Sequence, residues 1–205
     1  MLRHNEVRDT TFKLARPAGA NPVKEQVGIL AGGGTGQDMG RRPADVLLRN
    51  TGGVHTSRGR GMPRVALDFA VVNPQGARYR DQAAQEGLAA AEVYTRQKRE
   101  HQGTDRKCME VNVDFQPVVW ESFGGVGSEG RELLKSLYRL VALNTNTPLA
   151  VVAHRYWQRF SVAMQKANHR AFAKRTGGKK GIGLFERHSH RFLMHSQELW
   201  ALEGE

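Results

Sequence analysis

The amino-acid sequence predicts an α/β protein of the α+β kind, with a small mixed central sheet flanked by helices. Two short runs of strand character, 45–49 and 64–72, are followed by an alanine-rich helical stretch at 79–101. A third strand-like run at 109–121 then precedes two amphipathic helical stretches between residues 128 and 174. Branched and apolar residues dominate the strand runs, whereas the helical stretches repeat apolar residues about every three to four positions.

The residues before the first strand run are predicted to form one helix and then a flexible linker or insertion. The pattern of 3–16 is typical of a helix, which Pro17 ends. Residues 18–40 are rich in glycine, which cannot pack a core, although 23–30 could form a short edge strand. The G-G-G-T-G run at 32–36 is not a phosphate-binding loop, because no G-K-[ST] follows and the run leads to Arg-Arg-Pro rather than into a helix.

The first two strand runs are predicted to form a hairpin, because residues 50–63 between them have the composition of a turn. Asp68 stands in the middle of the otherwise apolar second strand. A buried and unpaired carboxylate costs several kcal/mol. We therefore expect Asp68 to be satisfied by a salt bridge, by backbone donors or by a metal ion.

The helical stretch at 79–101 is predicted to present Tyr94, Lys98 and His101 along roughly one face. Lys98 would then lie near the contact between this helix and the sheet. The alternative is that Lys98 is an ordinary charged residue on the solvent side of the helix. The run at 109–121 is predicted to be one strand, in which Pro117 indicates an edge position or a bulge. Glu121 at its end could point into the same site as Asp68.

The length and composition limit the domain organisation and the class of partner. A chain of 205 residues is long enough for one sizeable core, which we assign to 1–175, and 176–205 is predicted to be a basic, disordered tail. The only cysteine, Cys108, excludes an internal disulfide and a cysteine-based zinc site, and indicates an intracellular compartment. No secretory signal and no membrane-spanning run is visible, so we expect no membrane partner.

A strongly basic balance favours a polyanionic partner, with nucleic acid first. The formal net charge is +11 and the pI is about 10.3. The last helical stretch carries basic residues at multiples of about four, which predicts a stripe that could track phosphates or, alternatively, a solvated face. The residues of this stripe are Arg155, Arg159, Lys166, Arg170 and Lys174.

Four short motifs and their order resemble one nuclease family. They are R-H-N at 3–5, R-R-P-A-D-V at 41–46, A-L-D-F-A-V at 66–71 and A-A-A-E-V-Y-T-R-Q-K-R-E-H at 89–101. In this order they resemble the PD-(D/E)XK restriction-endonuclease-like fold. More closely, they resemble the endonuclease region of site-specific non-LTR retrotransposons and the open reading frames derived from it. The resemblance covers most of residues 3–175.

The resemblance implies a metal-dependent DNA endonuclease of retrotransposon origin that uses Mg²⁺ or Mn²⁺ and acts in the nucleus. Asp45 and Asp68 would bind the metal, with Glu121 as a further ligand, and Lys98 on the helix would polarise the attacking water. DNA contacts would come from the basic stripe and from His4, Arg41 and Arg42. The chain could also be a piece of a larger reverse-transcriptase polyprotein.

The sequence departs from the family pattern in ways that leave two other interpretations open. The first motif is Pro-Ala-Asp instead of Pro-Asp, and Ala70 stands where the family has its strand lysine. The second interpretation is therefore a catalytically inactive nucleic-acid-binding relic of the same fold. The third is a ribosome-associated or other basic structural protein. It predicts ordinary salt bridges for Asp45 and Asp68 and no pocket, whereas the first predicts that both converge with Lys98.

Overall fold

The computed structural model describes residues 2–30, 43–56, 59 and 62–175. The chain divides into two compact units, Met1–Asn168 and His169–Glu205, and the second is described only at 169–175. The elements are, in chain order, α1 (Leu2–Ala15), β1 (Pro22–Lys24), β2 (Val46–Leu48), β3 (Arg64–Val72), α2 (Arg80–Gln85), α3 (Ala89–Glu100), α4 (Thr104–Glu110), β4 (Val113–Glu121), α5 (Ser128–Thr145) and α6 (Leu149–Arg175).

The four strands form one mixed sheet in the order β1-β2-β3-β4, which confirms the predicted α+β class. β1 pairs with β2 and β2 pairs with β3 in antiparallel register, so the predicted hairpin is present. β3 and β4 run parallel, because the helices α2, α3 and α4 carry the chain back to the same end of the sheet. Pro117, which has no N–H to donate, lies on the edge strand β4 as predicted.

Helices cover both faces of the sheet, and alternate residues of β4 separate the two layers. Val119 packs with Ala90 and Ala91 of α3, and Phe115 packs with Cys108 of α4. We call this side the α3 face.

The opposite side, which we call the α5/α6 face, holds the largest aromatic side chains. Trp120 lies with its ring centroid 4.9 Å from that of Phe160 and 5.9 Å from that of Trp157, both on α6. On α5, a Cβ added at Gly130 would lie 3.2 Å from a methyl group of Val118, so the missing side chain lets this helix approach β4 closely.

Three local predictions are wrong. Residues 18–30 are not a free linker, because both Ile29 and Leu30 are buried in the core and β1, which pairs with β2 at the edge of the sheet, overlaps the short edge strand suggested at 23–30. The helical stretch at 79–101 is two helices, α2 and α3, separated by Leu88 in the left-handed region at φ 67°. The strand predicted at 109–121 begins only at Val113, because α4 occupies the residues before it.

The remaining predictions concern helix ends and the membrane. α1, α5 and α6 begin and end within a few residues of the predicted helices. Within the part of the chain that the structure describes, no helix is both long and apolar enough to cross a membrane. Residues 31–40 and the tail at 176–205 lie outside the described residues, so the predictions made for them remain predictions.

Candidate active site

Asp45 and Asp68 lie side by side on the α3 face of the sheet. Val46 pairs with Leu67, so continuing the antiparallel register by one residue places Asp45 opposite Asp68. The ladder itself ends at Val46, since the Asp45 N–H donates to the Leu67 carbonyl at 2.9 Å and not to that of Asp68, but the two carboxyl groups are close enough for Asp45 to raise the pKa of Asp68. Residues directly opposite each other on neighbouring strands share a face. The hairpin therefore brings together two carboxylates that are 23 positions apart in the sequence.

One oxygen of Asp45 accepts two hydrogen bonds. Oδ2 accepts from Nε2 of His4 at 2.8 Å and from the Phe69 N–H at 2.8 Å. Burial alone would raise the pKa of Asp45, but these two donors outweigh it and hold the pKa below its usual range. The same contact raises the pKa of His4, against the effect of burial. At neutral pH Asp45 is therefore a carboxylate whose orientation is fixed by α1 and β3.

Asp68 is paired with the lysine that the helical spacing indicated. Nζ of Lys98 donates to Oδ2 of Asp68 at 2.6 Å and lies 5.8 Å from the centroid of the Tyr94 ring. Burial raises the pKa of Asp68 and the neighbouring Asp45 carboxyl adds to this effect, whereas Lys98 opposes it. The two pKa values are thus shifted in opposite directions, as expected when two carboxyl groups approach closely.

Asp68 and Lys98 line a cleft of about 640 Å³ that runs beside α3. Among the described residues lining it, Asp68 is the only acidic one, so the walls carry net positive charge. The lining residues are Pro43, Asp68, Arg78, Tyr94, Gln97, Lys98, His101, Gln102, Thr104 and Phe115. A concave site with convergent polar groups and perturbed carboxyl pKa values is where binding or catalysis is expected.

Hydrogen bonds at both ends hold α3, and hence Lys98, against the sheet. At its beginning, the Ala91 N–H donates to Oε1 of Glu121 at 3.3 Å. Near its end, Arg99 bonds Glu129 of α5 and Asp105 of α4, each at 3.0 Å, and donates to the Phe115 carbonyl at 3.0 Å. These contacts cover the exposed edge of β4 and fix the helix turn that carries Lys98.

No protein-family model, no curated protein and no solved structure matches the chain. The site must therefore be interpreted from its own residues. Among the described residues, no group of three or more His, Cys, Asp or Glu side chains gathers as a metal-binding set. The donors available to an ion are the two adjacent carboxylates, Asp45 and Asp68.

Glu121 does not join the site, although the sequence suggested it as a further metal ligand. It pairs with Val72, whereas Asp68 pairs with Pro117, so it lies about 13 Å further along the strand at about 3.3 Å per residue. Its carboxylate instead caps the first turn of α3, and its pKa is raised by burial against the effect of the Ala91 N–H. The sequence pattern required only an acidic residue at the end of a strand, which Glu121 supplies. The length of β4 separates Glu121 from Asp68 and Asp45.

The predicted nucleic-acid contacts are dispersed. His4 lies at the carboxylate pair and bonds Asp45 directly, while Arg41 and Arg42 fall outside the described residues. Arg155, Arg159 and Lys166 are exposed on α6, which packs through Phe160 on Trp120 and therefore on the α5/α6 face, away from the cleft. Arg170 and Lys174 are exposed in the second unit.

Gln97 and Arg78 are among the cleft residues that the sequence analysis did not select. Gln97 lies one position before Lys98 and four before His101, so the helical spacing that selected Tyr94, Lys98 and His101 could have found it. Arg78 comes from the loop after β3, where no periodicity exists to mark it. Only the way the loop folds back towards α3 makes it part of the cleft wall.

Proposed function

We propose that the protein is a metal-dependent DNA endonuclease of the restriction-endonuclease-like class, similar to the endonuclease region of non-LTR retrotransposons. The observation that carries this proposal is the convergence of Asp45, Asp68 and Lys98 beside a positively lined cleft. Two carboxylates beside an ammonium group form a set that phosphodiester hydrolysis can use. A nuclear location and an origin in a larger reverse-transcriptase polyprotein belong to the same proposal.

The residues of the pair fit Mg²⁺ or Mn²⁺ by their chemistry. Mg²⁺ is usually held by one or two carboxylates and completes its shell with water and phosphate oxygens. Asp45 keeps its carboxylate ionised through the donors His4 and Phe69, which favours cation binding. When bound there, the metal supplies charge neutralisation at the phosphate and lowers the pKa of a bound water.

The remaining chemistry falls to the chain's own residues. His4 and the Phe69 N–H occupy Oδ2 of Asp45 and so fix the direction of its carboxylate. Lys98 lies where an ammonium can offset the negative charge that develops on the phosphate as water attacks phosphorus and the P–O ester bond breaks. Ala70, two residues after Asp68 on the same strand, packs with Ala90 and Ala91, so the ammonium group at Asp68 comes from Lys98 of α3 and not from the strand.

A second candidate function is a nucleic-acid-binding protein without catalysis. The observation in its favour is that both carboxylates already have cationic partners, Asp45 with His4 and Asp68 with Lys98. A relic that keeps the fold could retain these ion pairs without ever binding a metal. The same ion pairs agree with a purely structural basic protein, but the open cleft beside them does not.

The test is nicking of supercoiled plasmid by the full chain at low salt, with Mg²⁺, with Mn²⁺ or with EDTA. The variants are Asp68→Ala and, as a matched control, Asp81→Ala, since Asp81 is an exposed carboxylate on α2 outside the cleft. We expect nicking that requires metal, falls at least about hundredfold in Asp68→Ala and is unchanged in Asp81→Ala.

Two other results would decide against the endonuclease. If the wild-type chain binds DNA in a salt-sensitive manner but never nicks it, the inactive relic is the correct interpretation. If it neither binds nor nicks, the basic composition has no nucleic-acid function, and the structural interpretation remains.

A further inference from the structure

The cleft extends beyond the carboxylate pair in both directions along α3. The helix runs antiparallel to β3 and β4, because Ala91 meets Glu121 at the end of β4 whereas Arg99 meets the Phe115 carbonyl near its beginning. Asp68 and Lys98 lie between these two ends. The ion pair therefore occupies the middle of the cleft instead of closing it.

A cationic or hydrogen-bonding side chain stands on each side of the ion pair. Arg78 comes from the loop after the end of β3, near the beginning of α3, and His101 directly follows the end of α3. Both are exposed side chains that line the cleft, and neither has an ion-pair partner among the described residues. The order along the cleft is thus Arg78, the ion pair and His101.

We propose that this cleft is a track for one DNA strand, in which Arg78 and His101 bind the phosphates on the two sides of the phosphate held at Asp68 and Lys98. The inference rests on the proposed function and adds to it the path of the substrate. Lys98 and His101 are three residues apart, which places their Cβ atoms about 5–6 Å from each other. Successive phosphates of one strand rise by about 3.4 Å along a duplex and are further apart through space because the backbone winds around the axis, a separation that the long side chain of Lys98 and the ring of His101 can span.

The charges of the cleft support a polyanion in this position. Asp68 is the only acid among the described lining residues, and Lys98 is already bound to it, so the charge available to a ligand comes from Arg78. Gln97 and Thr104 add polar groups to the lining of the cleft. Contacts of this kind position the backbone and carry no sequence information.

The test is equilibrium binding of the full chain to fluorescein-labelled duplex DNA in EDTA, which separates binding from cleavage, over a series of salt concentrations. Arg78→Gln is compared with Arg80→Gln, because Arg80 lies two residues away, carries the same charge and does not line the cleft. We expect the slope of log K against log salt to fall by about 0.9 in Arg78→Gln and to stay unchanged in Arg80→Gln.

His101 is tested by measuring the affinity for the duplex in the same binding experiment. We expect His101→Ala to weaken binding about threefold to tenfold, while His154→Ala, an exposed histidine on α6, leaves it unchanged. Thermal unfolding of all four variants should match the wild type, because each of these side chains is exposed.

The outcomes separate this inference from the proposed function. A reduced salt slope in Arg78→Gln together with weaker DNA binding by His101→Ala supports the track, even for a chain that never nicks plasmid. Equal slopes for Arg78→Gln, Arg80→Gln and wild type overturn the track and leave a positive nicking result intact. A wild-type chain that does not bind DNA overturns both.

Discussion

The two faces of the sheet are built in opposite ways from the same strands. On the α5/α6 face, Trp120 is 1% exposed and packs against Phe160 and Trp157 with no charged group between them. On the α3 face, Asp68 interrupts the apolar strand and holds Lys98 at 2.6 Å, with 23% and 19% of the two side chains exposed. Around Trp120 the α5/α6 face excludes water, although Asp114 and Gln116 are buried further along the same side of β4. The α3 face admits water to a pair of charges.

This difference shows where stability and chemistry reside in the fold. An ion pair in a partly hydrated cleft adds little to the free energy of unfolding, because desolvation offsets much of the attraction. Burial of aromatic side chains contributes far more. We therefore expect the α5/α6 face to hold the fold together and the α3 face to be free to carry strained or coupled charges.

The largest predicted effect is the loss of stability in Trp120→Ala. The substitution removes the central ring of the α5/α6 face, and large aromatic truncations in a core cost about 3–5 kcal/mol. We expect the free energy of unfolding, measured by urea denaturation, to fall by that amount.

Two control substitutions sharpen this result. Leu143→Ala removes a side chain on α5 that is 77% exposed, and Gln97→Ala truncates a wall residue of the cleft. Each should change the free energy of unfolding by less than about 0.5 kcal/mol. If Gln97→Ala destabilises the chain as much as Trp120→Ala does, the two faces do not divide stability and function in this way.

The elements could be predicted from sequence where one local pattern decided them. The hairpin, the edge position of Pro117 and the C-terminal helices followed from turn composition and periodicity. The prediction of one helix at 79–101 is wrong because Gly87 and the left-handed Leu88 interrupt it. The alanine-rich sequence on the C-terminal side favours a helix so strongly that the pattern does not reveal the interruption. The edge strand suggested at 23–30 is found as β1, but only over Pro22–Lys24, because three residues that pair with a neighbour leave too little pattern to set the bounds of a strand.

The candidate site was less predictable than the fold. Asp45, Asp68 and Lys98 were selected from motif order, and the structure brings them together. Glu121 failed because sequence patterns fix which face a strand residue occupies but not its distance along the strand from Asp68. Arg78 and the His4–Asp45 contact depend on how separate elements approach each other, and no local pattern carries that information.

The second prediction concerns His4, which links the α1 helix to the carboxylate pair. His4→Ala removes the donor that orients Asp45, and a hydrogen bond to a charged group contributes about 1.5–3 kcal/mol where it is fully expressed. We expect a lower affinity for Mn²⁺, measured by calorimetry, and nicking reduced at least about tenfold. His4→Gln, which keeps a donor, should restore part of both, whereas His154→Ala should leave both unchanged.

The His4–Asp45 pair also predicts a dependence of stability on pH. The pKa of His4 is raised in the folded state, so its contribution is fully present below the unfolded value of about 6.5 and is lost as pH rises through the folded pKa. The pKa of Asp45 is lowered in the folded state, so the contribution of its carboxylate to stability is lost only when the pH falls through a pKa below that of an ordinary aspartate. Since the two side chains are 28% and 23% exposed, we expect at most about 1 kcal/mol.

The measurement is the difference in the free energy of unfolding between wild type and His4→Ala, by urea denaturation at several pH values. The difference should be largest near pH 5.5 and shrink towards pH 8.5. A difference that stays constant over this range would mean that His4 acts through packing and not through its charge.

The smallest predicted effect tests whether the basic stripe on α6 serves the cleft. From Leu149 to Arg175 this helix has no acidic residue, so its exposed cations are not neutralised along the helix. Its members Arg155, Arg159 and Lys166 nevertheless lie on the part of α6 that packs on the α5/α6 face, and a short duplex held in the cleft does not extend around the sheet to reach them. We expect the combined variant Arg155→Gln, Arg159→Gln, Lys166→Gln to bind and cut a short duplex as the wild type does.

Long DNA should behave differently, because a second segment of it can reach the α5/α6 face. The same variant should bind plasmid with a salt slope smaller by up to about 0.9 for each phosphate that the helix no longer neutralises, while the rate of nicking at saturating protein stays the same. If the short duplex is affected as strongly as the plasmid, the two faces act on one DNA segment. The α5/α6 face would then also belong to the substrate-binding surface, and the two faces would differ only in their contribution to stability.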